Sequence, residues 1–365
     1  MRTEIREVKS QNGTYVLELA ASPFRKAAGG QPCDFGFVSS SNFNSDVIDV
    51  LENNCVLVKA VEGIPETGEC IAQIDEKRRN ILTRMHTAEH ILFRSLQNFE
   101  KSVKLDKISL TETISSIFFF ADNIEWNIIF KGEELANRVI KENKKITERT
   151  IKKEEVGNID NLRIKTERIK SEDVRVVEIE DHDKSACAGT HCHSTSEVGS
   201  VLVITLLGTK SPYELKFIVD TEDKLFVYAK AARELSSLLG TETEKLVSTT
   251  SNLKAEVERY KSIARNAPLE VKEIGSLQVI SVEGYDSKDL IYKAGKLVKE
   301  NSVLIAINKM PKGSQVSIFA GISSNKDAGE IFRQLSKKFN GKGNGRKEFA
   351  SGMLESDAEA IIKEM

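Results

Sequence analysis

The chain has 365 residues, 40% hydrophobic and 30% charged, which is too long for one ordinary core and has the balance of a globular protein of two or three domains. Its 53 basic and 55 acidic side chains leave a net charge of −2, so no global field attracts polyanions and a nucleic-acid partner would need a locally basic surface. No apolar run reaches membrane-spanning length, the N-terminus lacks the apolar core of a secretion signal, and five scattered cysteines (Cys33, Cys55, Cys70, Cys187, Cys192) do not form a disulfide framework. A reducing, cytoplasmic location without membrane contact is expected, where a cysteine that matters is a metal ligand or a nucleophile.

Residues 1–74 read as short strands. Residues 14–19 alternate, 56–61 are an apolar β-branched run, and Gly29-Gly30-Gln31-Pro32 breaks the chain between them. A small β-barrel is expected there. Residues 75–220 read as an α+β domain. It opens with a helix from Asp75 whose Ile81, Leu82, Met85, Ile91, Leu92 and Leu96 form an apolar stripe. Strands are expected at 114–120, 126–130, 174–179 and 201–206, with a long Lys/Glu-rich helix at 133–155. Residues 221–267 turn helical. Leu246, Thr250, Leu253, Val257, Tyr260 and Ala264 make a seam that suits a short coiled coil or an antiparallel hairpin turning at Gly240. Residues 268–365 return to α/β, with strands at 277–282, 303–309 and 316–320. Helices are expected there at 287–300, 326–339 and 355–365, and a basic glycine loop at 341–347.

The sharpest chemical signal is two pairs of ligands. His86 and His90 lie one turn apart on the first helix and project from one face. Cys187-Ala-Gly-Thr-His191 follows a strand and contains a glycine turn. Three imidazoles and a thiolate suit tetrahedral Zn²⁺, one per chain. A lone His-x-x-x-His is more often an ordinary pair, but three of only five histidines fall in these two motifs. Cys192 and His193 are left outside the ligand set, since an extended segment points Cys192 away from His191. A zincin protease is excluded by Thr87, which stands where that mechanism needs glutamate; Glu89 is rotated off the ligand face.

With these residues placed, the sequence resembles the editing region of alanyl-tRNA synthetase and its free-standing relatives, the AlaX-type alanyl-tRNA editing proteins, in their long form. The family's Gly-Gly-Gly-Gln-Pro-x-Asp-x-Gly element is similar to Ala28-Gly29-Gly30-Gln31-Pro32-Cys33-Asp34-Phe35-Gly36. Its Asp-x-x-x-Arg-Arg and His-Thr-Ala-Thr-His segments are similar to the stretch from Asp75 through Arg78-Arg79 to His86-Thr87-Ala88-Glu89-His90. Its Cys-Gly-Gly-Thr-His matches Cys187–His191 with alanine at 188. Gly341 to Gly352 looks like the glycine-rich element of the family's DHH-associated C-terminal domain. Ala28, Cys33, Glu89 and Ala188 depart from the pattern, and none is a ligand.

The resemblance implies an ester hydrolase that acts in trans on Ser-tRNA(Ala) or Gly-tRNA(Ala), with no aminoacylation domain expected in this chain. It puts the zinc ligands on His86, His90, Cys187 and His191, with His86, His90 and Cys187 catalytic. Thr87, Ser109, Thr111, Thr113 and Gln31 are the candidates to contact the amino acid. Lys337, Lys338, Lys342, Arg346 and Lys347 form the densest basic patch and are the candidates for tRNA contact. Homodimerisation through the helical and C-terminal regions is expected. The metal has two roles open to it, activation of water or carbonyl and positioning of the 3′ end. Two alternatives stand beside this reading: a non-catalytic tRNA-binding protein with structural zinc, and editing of threonine tRNA. Asp181-His182-Asp183 is not the Asp-His-His of a DHH phosphoesterase, which excludes that activity.

Overall fold

The computed structural model describes residues 1–164 and 171–364, and the chain divides into two compact units, Met1–Lys230 and Ala231–Met365. The first begins with a closed six-stranded barrel of strand order β1-β2-β5-β4-β3-β6. Its strands are β1 (Arg2–Gln11), β2 (Thr14–Leu19), β3 (Gly36–Ser39), β4 (Asn44–Val50), β5 (Cys55–Glu62) and β6 (Gly68–Ile74). Asn12 and Gly13 both have positive φ, the two-residue turn whose twist matches a hairpin. Alternate residues of β2 and β5 point inward, so Leu17, Leu19, Val56 and Val58 fill the barrel with Ile5, Val38 and Ala72. The barrel expected from the sequence is present.

Helix α1 (Glu76–Phe99) leaves β6 after Asp75, whose carboxylate accepts from the Arg78 amide as an N-cap. It packs on α2 (Trp126–Lys141), where Gly132 lets the backbone approach Leu96; a Cβ there would lie 2.4 Å from a Leu96 methyl. A four-stranded sheet of order β12-β13-β8-β7 completes the core with Ile117, Phe119, Leu215 and Phe217. Its strands are β7 (Lys104–Ser109), β8 (Ser115–Phe120), β12 (Leu202–Leu207) and β13 (Tyr213–Ile218). A second sheet of order β11-β10-β9 comprises β9 (Ile146–Lys152), β10 (Asp173–Ile179) and β11 (Asp183–Ala186).

Two expected elements of the first unit differ. Residues 126–130 begin helix α2 rather than forming a strand, because Ile129, Gly132, Ala136, Val139 and Ile140 give the segment a helical buried face. The expected 133–155 helix stops at Lys141. Asn143 takes a left-handed φ of 53°, which ends it, and the β-branched Ile146, Thr147, Thr150 and Ile151 enter β9 to pair with β10.

Helix α3 (Glu222–Leu239) spans the division between the units and buries none of its side chains; α4 (Leu246–Asn266) follows. Leu253, Val257 and Tyr260 of the expected seam are exposed, and the Ala264 side chain lies outside the described residues. The C-terminal unit carries a six-stranded mixed sheet of order β14-β15-β16-β17-β19-β18. Its strands are β14 (Lys272–Ile274), β15 (Leu277–Glu283), β16 (Val303–Met310), β17 (Gly313–Ala320), β18 (Lys342–Gly345) and β19 (Phe349–Leu354), with helices α5 (Ser287–Leu297), α6 (Ala328–Lys338) and α7 (Ala358–Lys363). The segment expected as a basic glycine loop is partly strand β18, paired with β19. Its glycines make room for the Phe332 ring, since a Cβ on Gly343 or Gly352 would lie 2.7 or 2.4 Å from it. Among the described residues no helix is long and apolar enough to cross a membrane.

Candidate metal centre

From Met85 to Phe93 every residue of α1 is buried, although His86, Thr87, Glu89 and His90 are polar. The apolar side meets the core, so the polar side must be answered by other groups. The Cys187–His191 turn supplies them. The Sγ of Cys187 lies 3.2 Å from His86 Nε2 and 3.4 Å from His191 Nε2. The His191 ring centroid is 4.5 Å from those of both His86 and His90. One donor atom from each of His86, His90, Cys187 and His191 falls within 4.8 Å of the other three.

The turn is built to approach the helix closely. Arg175 Nη1 donates to the Cys187 carbonyl at 2.8 Å and to the Gly189 carbonyl at 2.6 Å. Gly189 has to be glycine, because a Cβ would lie 2.1 Å from the His86 ring. Ala188, where the similar motif has glycine, is exposed and obstructs nothing. From the barrel, Gly29 and Gly30 (φ 60° and 81°) form a tight turn bridged by Ala28 and Gln31. A Cβ on Gly29 would sit 3.6 Å from the His86 ring and 3.7 Å from the Cys187 sulfur, so this turn lies directly against the cluster. Arg79, ion-paired with Asp34, and Arg78, donating to the Cys33 carbonyl, tie the loop to α1.

Hydrogen bonds set the imidazole tautomers. His86 Nδ1 donates to Gln31 Oε1 at 3.0 Å, and His90 Nδ1 donates to Asp183 Oδ2 at 3.1 Å. Each assigns the Nδ1 proton, so that Nε2 is the nitrogen that offers its lone pair once the ring is neutral, the arrangement a metal-binding histidine needs. Gln31 is held in turn by the Thr190 amide, which donates to its Oε1 at 3.0 Å. Burial disfavours a charged Cys187, but the positive field of His86 and hydrogen bonds from three imidazoles outweigh it and hold the thiol well below its ordinary value. Burial and Arg163 disfavour a charged His90, yet Asp183, Cys187 and Glu89 raise its pKa to about 9. Burial and the fields of His90 and His86 push His191 down to about 3.

The donor set fits Zn²⁺. Tetrahedral bonds of about 2.1 Å to nitrogen and 2.3 Å to sulfur give N···S edges of about 3.5 Å, close to the 3.2 and 3.4 Å found here. Charge points the same way. With the three imidazoles neutral, as metal ligands must be, the Cys187 thiolate, Asp183 and Glu89 set against Arg163 leave two negative charges, which a divalent ion neutralises.

Among the remaining candidates Thr87 adjoins a ligand, its Oγ1 3.5 Å from His191 Nδ1, and the others are scattered. Thr87 is fully buried; its hydroxyl donates to the Thr83 carbonyl and accepts from the Cys192 amide. Thr111 uses its hydroxyl within its own turn, donating to the Ile114 carbonyl, while Ser109 and Thr113 are exposed. Cys192 is buried outside the cluster and His193 is exposed. Glu89 is off the ligand face, as expected, but nearer than that implies, with Oε2 3.7 Å from His90 Nε2. Lys337, Lys338, Lys342, Arg346 and Lys347 are exposed in the C-terminal unit, Lys338 in an ion pair with Glu364. Sequence reasoning missed Arg175, Arg163 and Ser185. Only Glu89, a carboxylate on an otherwise buried helix, signalled that a cation had to come from elsewhere.

Residues 174–214, which include Cys187 and His191, match the family described as the threonyl and alanyl tRNA synthetase second additional domain. The alanine–tRNA ligase of Pyrobaculum calidifontis is 26% identical over 96% of this chain and 41% of its own length. That of Archaeoglobus fulgidus is 28% identical over 98% of this chain and 41% of its own, and that of Methanopyrus kandleri 25% over 93% and 40%. The chain is a relative of the alanine–tRNA ligases. It spans about two fifths of the length of these relatives. Among solved structures, the C-Ala domain of Aquifex aeolicus alanyl-tRNA synthetase is similar at 19% identity, covering 26% of this chain and 96% of that one, with a TM-score of 0.23.

Proposed function

We propose that this relative of the alanine–tRNA ligases is a zinc-dependent hydrolase that removes a wrongly attached serine or glycine from the 3′ end of alanine tRNA. The observation that carries the reading is the convergence of three imidazoles and a thiolate under the Gly29-Gly30-Gln31 turn. A synthesis pocket discriminates poorly between amino acids that differ by one small group, so a second hydrolytic site is chemically required somewhere. Bound by His86, His90, Cys187 and His191, the metal supplies positive charge to anchor the 3′ end and to polarise the ester carbonyl. Gln31 orients His86 and, with Gly29, walls the space beside Cys187. Asp183 orients His90. Exposed Lys342, Arg346 and Lys347 offer basic groups for phosphate contact, and the exposed apolar side chains Val257, Tyr260 and Ile263 of α4 suit a second copy of the chain.

The test is deacylation by the purified protein of Ser-, Gly- and Ala-tRNA(Ala), with Thr- and Ser-tRNA(Thr) as controls. Loss of the serine or glycine ester with the alanine ester spared is expected; zinc-loaded protein that spares every ester overturns the enzyme reading. A second reading, tRNA binding with a structural zinc, is favoured by one observation: four side-chain donors already fill a tetrahedron. It predicts that His86→Ala unfolds the domain, whereas the hydrolase reading predicts a folded, inactive protein. Light scattering tests the dimer, which the 40.6 kDa monomer mass alone would reject.

A further inference from the structure

The flank of the cluster behind His90 is charged, and neither the ligand spacing nor the family likeness accounts for it. Glu89 stands where the similar motif has threonine, and it is 1% exposed. An unanswered carboxylate at that depth is costly. Its answer is Arg163, whose side chain is 16% exposed. Backbone hydrogen bonds from the Arg163 amide to Lys184 and from the Ala186 amide to Arg163 lay this residue alongside β11. Its guanidinium then reaches three groups: Nη1 donates to Glu89 Oε1 at 3.1 Å, Nη2 to Asp183 Oδ2 at 3.2 Å and Nε to Ser185 Oγ at 2.8 Å. Ser185 Oγ in turn donates a hydrogen bond to Asp183 Oδ2 at 2.6 Å. That oxygen is also the one that accepts from His90 Nδ1. The carboxylate that orients His90 is thus itself fixed by Arg163, directly and through Ser185. Phe93, with its ring 5.1 Å from the guanidinium carbon, covers the arginine.

We infer that Glu89 and Arg163 form one charge-balanced pair of positioning residues, which acts through Asp183 to hold the His90 imidazole in the orientation that binds metal. The inference rests on the metal reading above. Glu89 and Arg163 cancel, so a chain lacking both keeps the Cys187 and Asp183 charges that match a dication. A chain lacking Arg163 alone leaves two buried carboxylates uncompensated beside His90. The pair therefore couples in a defined direction: loss of the carboxylate repairs loss of the arginine.

The test measures zinc affinity by competition with a chromophoric chelator and ligand geometry from the absorption spectrum of the cobalt(II)-substituted protein. It compares the unsubstituted chain, Glu89→Thr, Arg163→Met and the double variant. Arg163→Met is expected to bind zinc about 10- to 100-fold more weakly, the usual loss when a group that orients a metal-binding histidine is removed, with an altered cobalt spectrum. The double variant is expected to recover most of that affinity. An Arg163→Met protein with unchanged affinity and spectrum overturns the inference, and so does a double variant no better than Arg163→Met. Should Arg163→Met fail to fold, Arg163→Lys keeps the charge without the three-way fork; an altered cobalt spectrum supports the inference and an unchanged one overturns it. If the unsubstituted chain takes up no metal, the metal reading itself fails, a result distinct from metal bound equally by all four proteins.

Discussion

Gly29 and Gly189 in the N-terminal unit, and Gly343 and Gly352 in the C-terminal unit, are all positions where a side chain would be strained or blocked, yet different neighbours occupy the space. The first group lets backbone approach His86, Gln31 and the Cys187 sulfur. The second lets the Phe332 ring lie on the sheet. Glycine richness alone therefore does not mark a site. What separates the two is the buried polar chemistry facing the N-terminal glycines, against the apolar packing facing the C-terminal ones.

Acid should separate the units most strongly. Below about 6.5, unfolded chains bind protons on His191 and Cys187 that the folded, metal-free protein refuses, because both groups are held below their ordinary values. Stability then falls as pH drops, by about 1.4 kcal/mol per pH unit for each proton. Between about 6.5 and 9 the proton kept by folded His90 matches the one kept by the unfolded Cys187 thiol, so the pair contributes no slope. Trp126 is the single tryptophan and lies in the N-terminal unit. Its emission in chelator should report an unfolding midpoint level across that window and dropping below it; a midpoint level down to pH 5 would contradict the account.

Gly189→Ala is the sharpest single substitution, since its Cβ would meet the His86 ring at 2.1 Å and Gln31 Oε1 at 2.8 Å. Overpacking of this kind costs about 1–3 kcal/mol, and elemental analysis should find the metal lost. Gln31→Ala removes the acceptor for His86 Nδ1 and should weaken zinc binding by about 10- to 100-fold in a folded protein. Gly352→Ala, on the other side of the comparison, should lower thermal stability by about 1–3 kcal/mol while leaving zinc content and affinity untouched. Metal loss from that variant would show that the two glycine groups do not have separate roles.

Much of the site was legible because its ligands are chemically rare and sit in two short motifs: five histidines in 365 residues leave few ways to assemble three of them. The barrel and α1 were legible from alternation and from the stripe Leu82, Met85, Leu92, Leu96. The helix start at Trp126 was hidden by an apolar, aromatic segment that suits either period, and β9 by its lysines and glutamates, which resemble a solvated helix face until β10 pairs with it. Arg163 was hidden because its partners, Glu89, Asp183 and Ser185, are brought together only by the fold.

The central claim is that His86, His90, Cys187 and His191 hold one metal ion together. Elemental analysis of the purified chain and of Cys187→Ala, combined with the cobalt(II) spectrum of each, tests it most directly. The account predicts one ion per chain, and a sulfur-to-cobalt charge-transfer band that vanishes with the Cys187 sulfur. Metal absent from the unsubstituted chain, or a band that survives in Cys187→Ala, would contradict it.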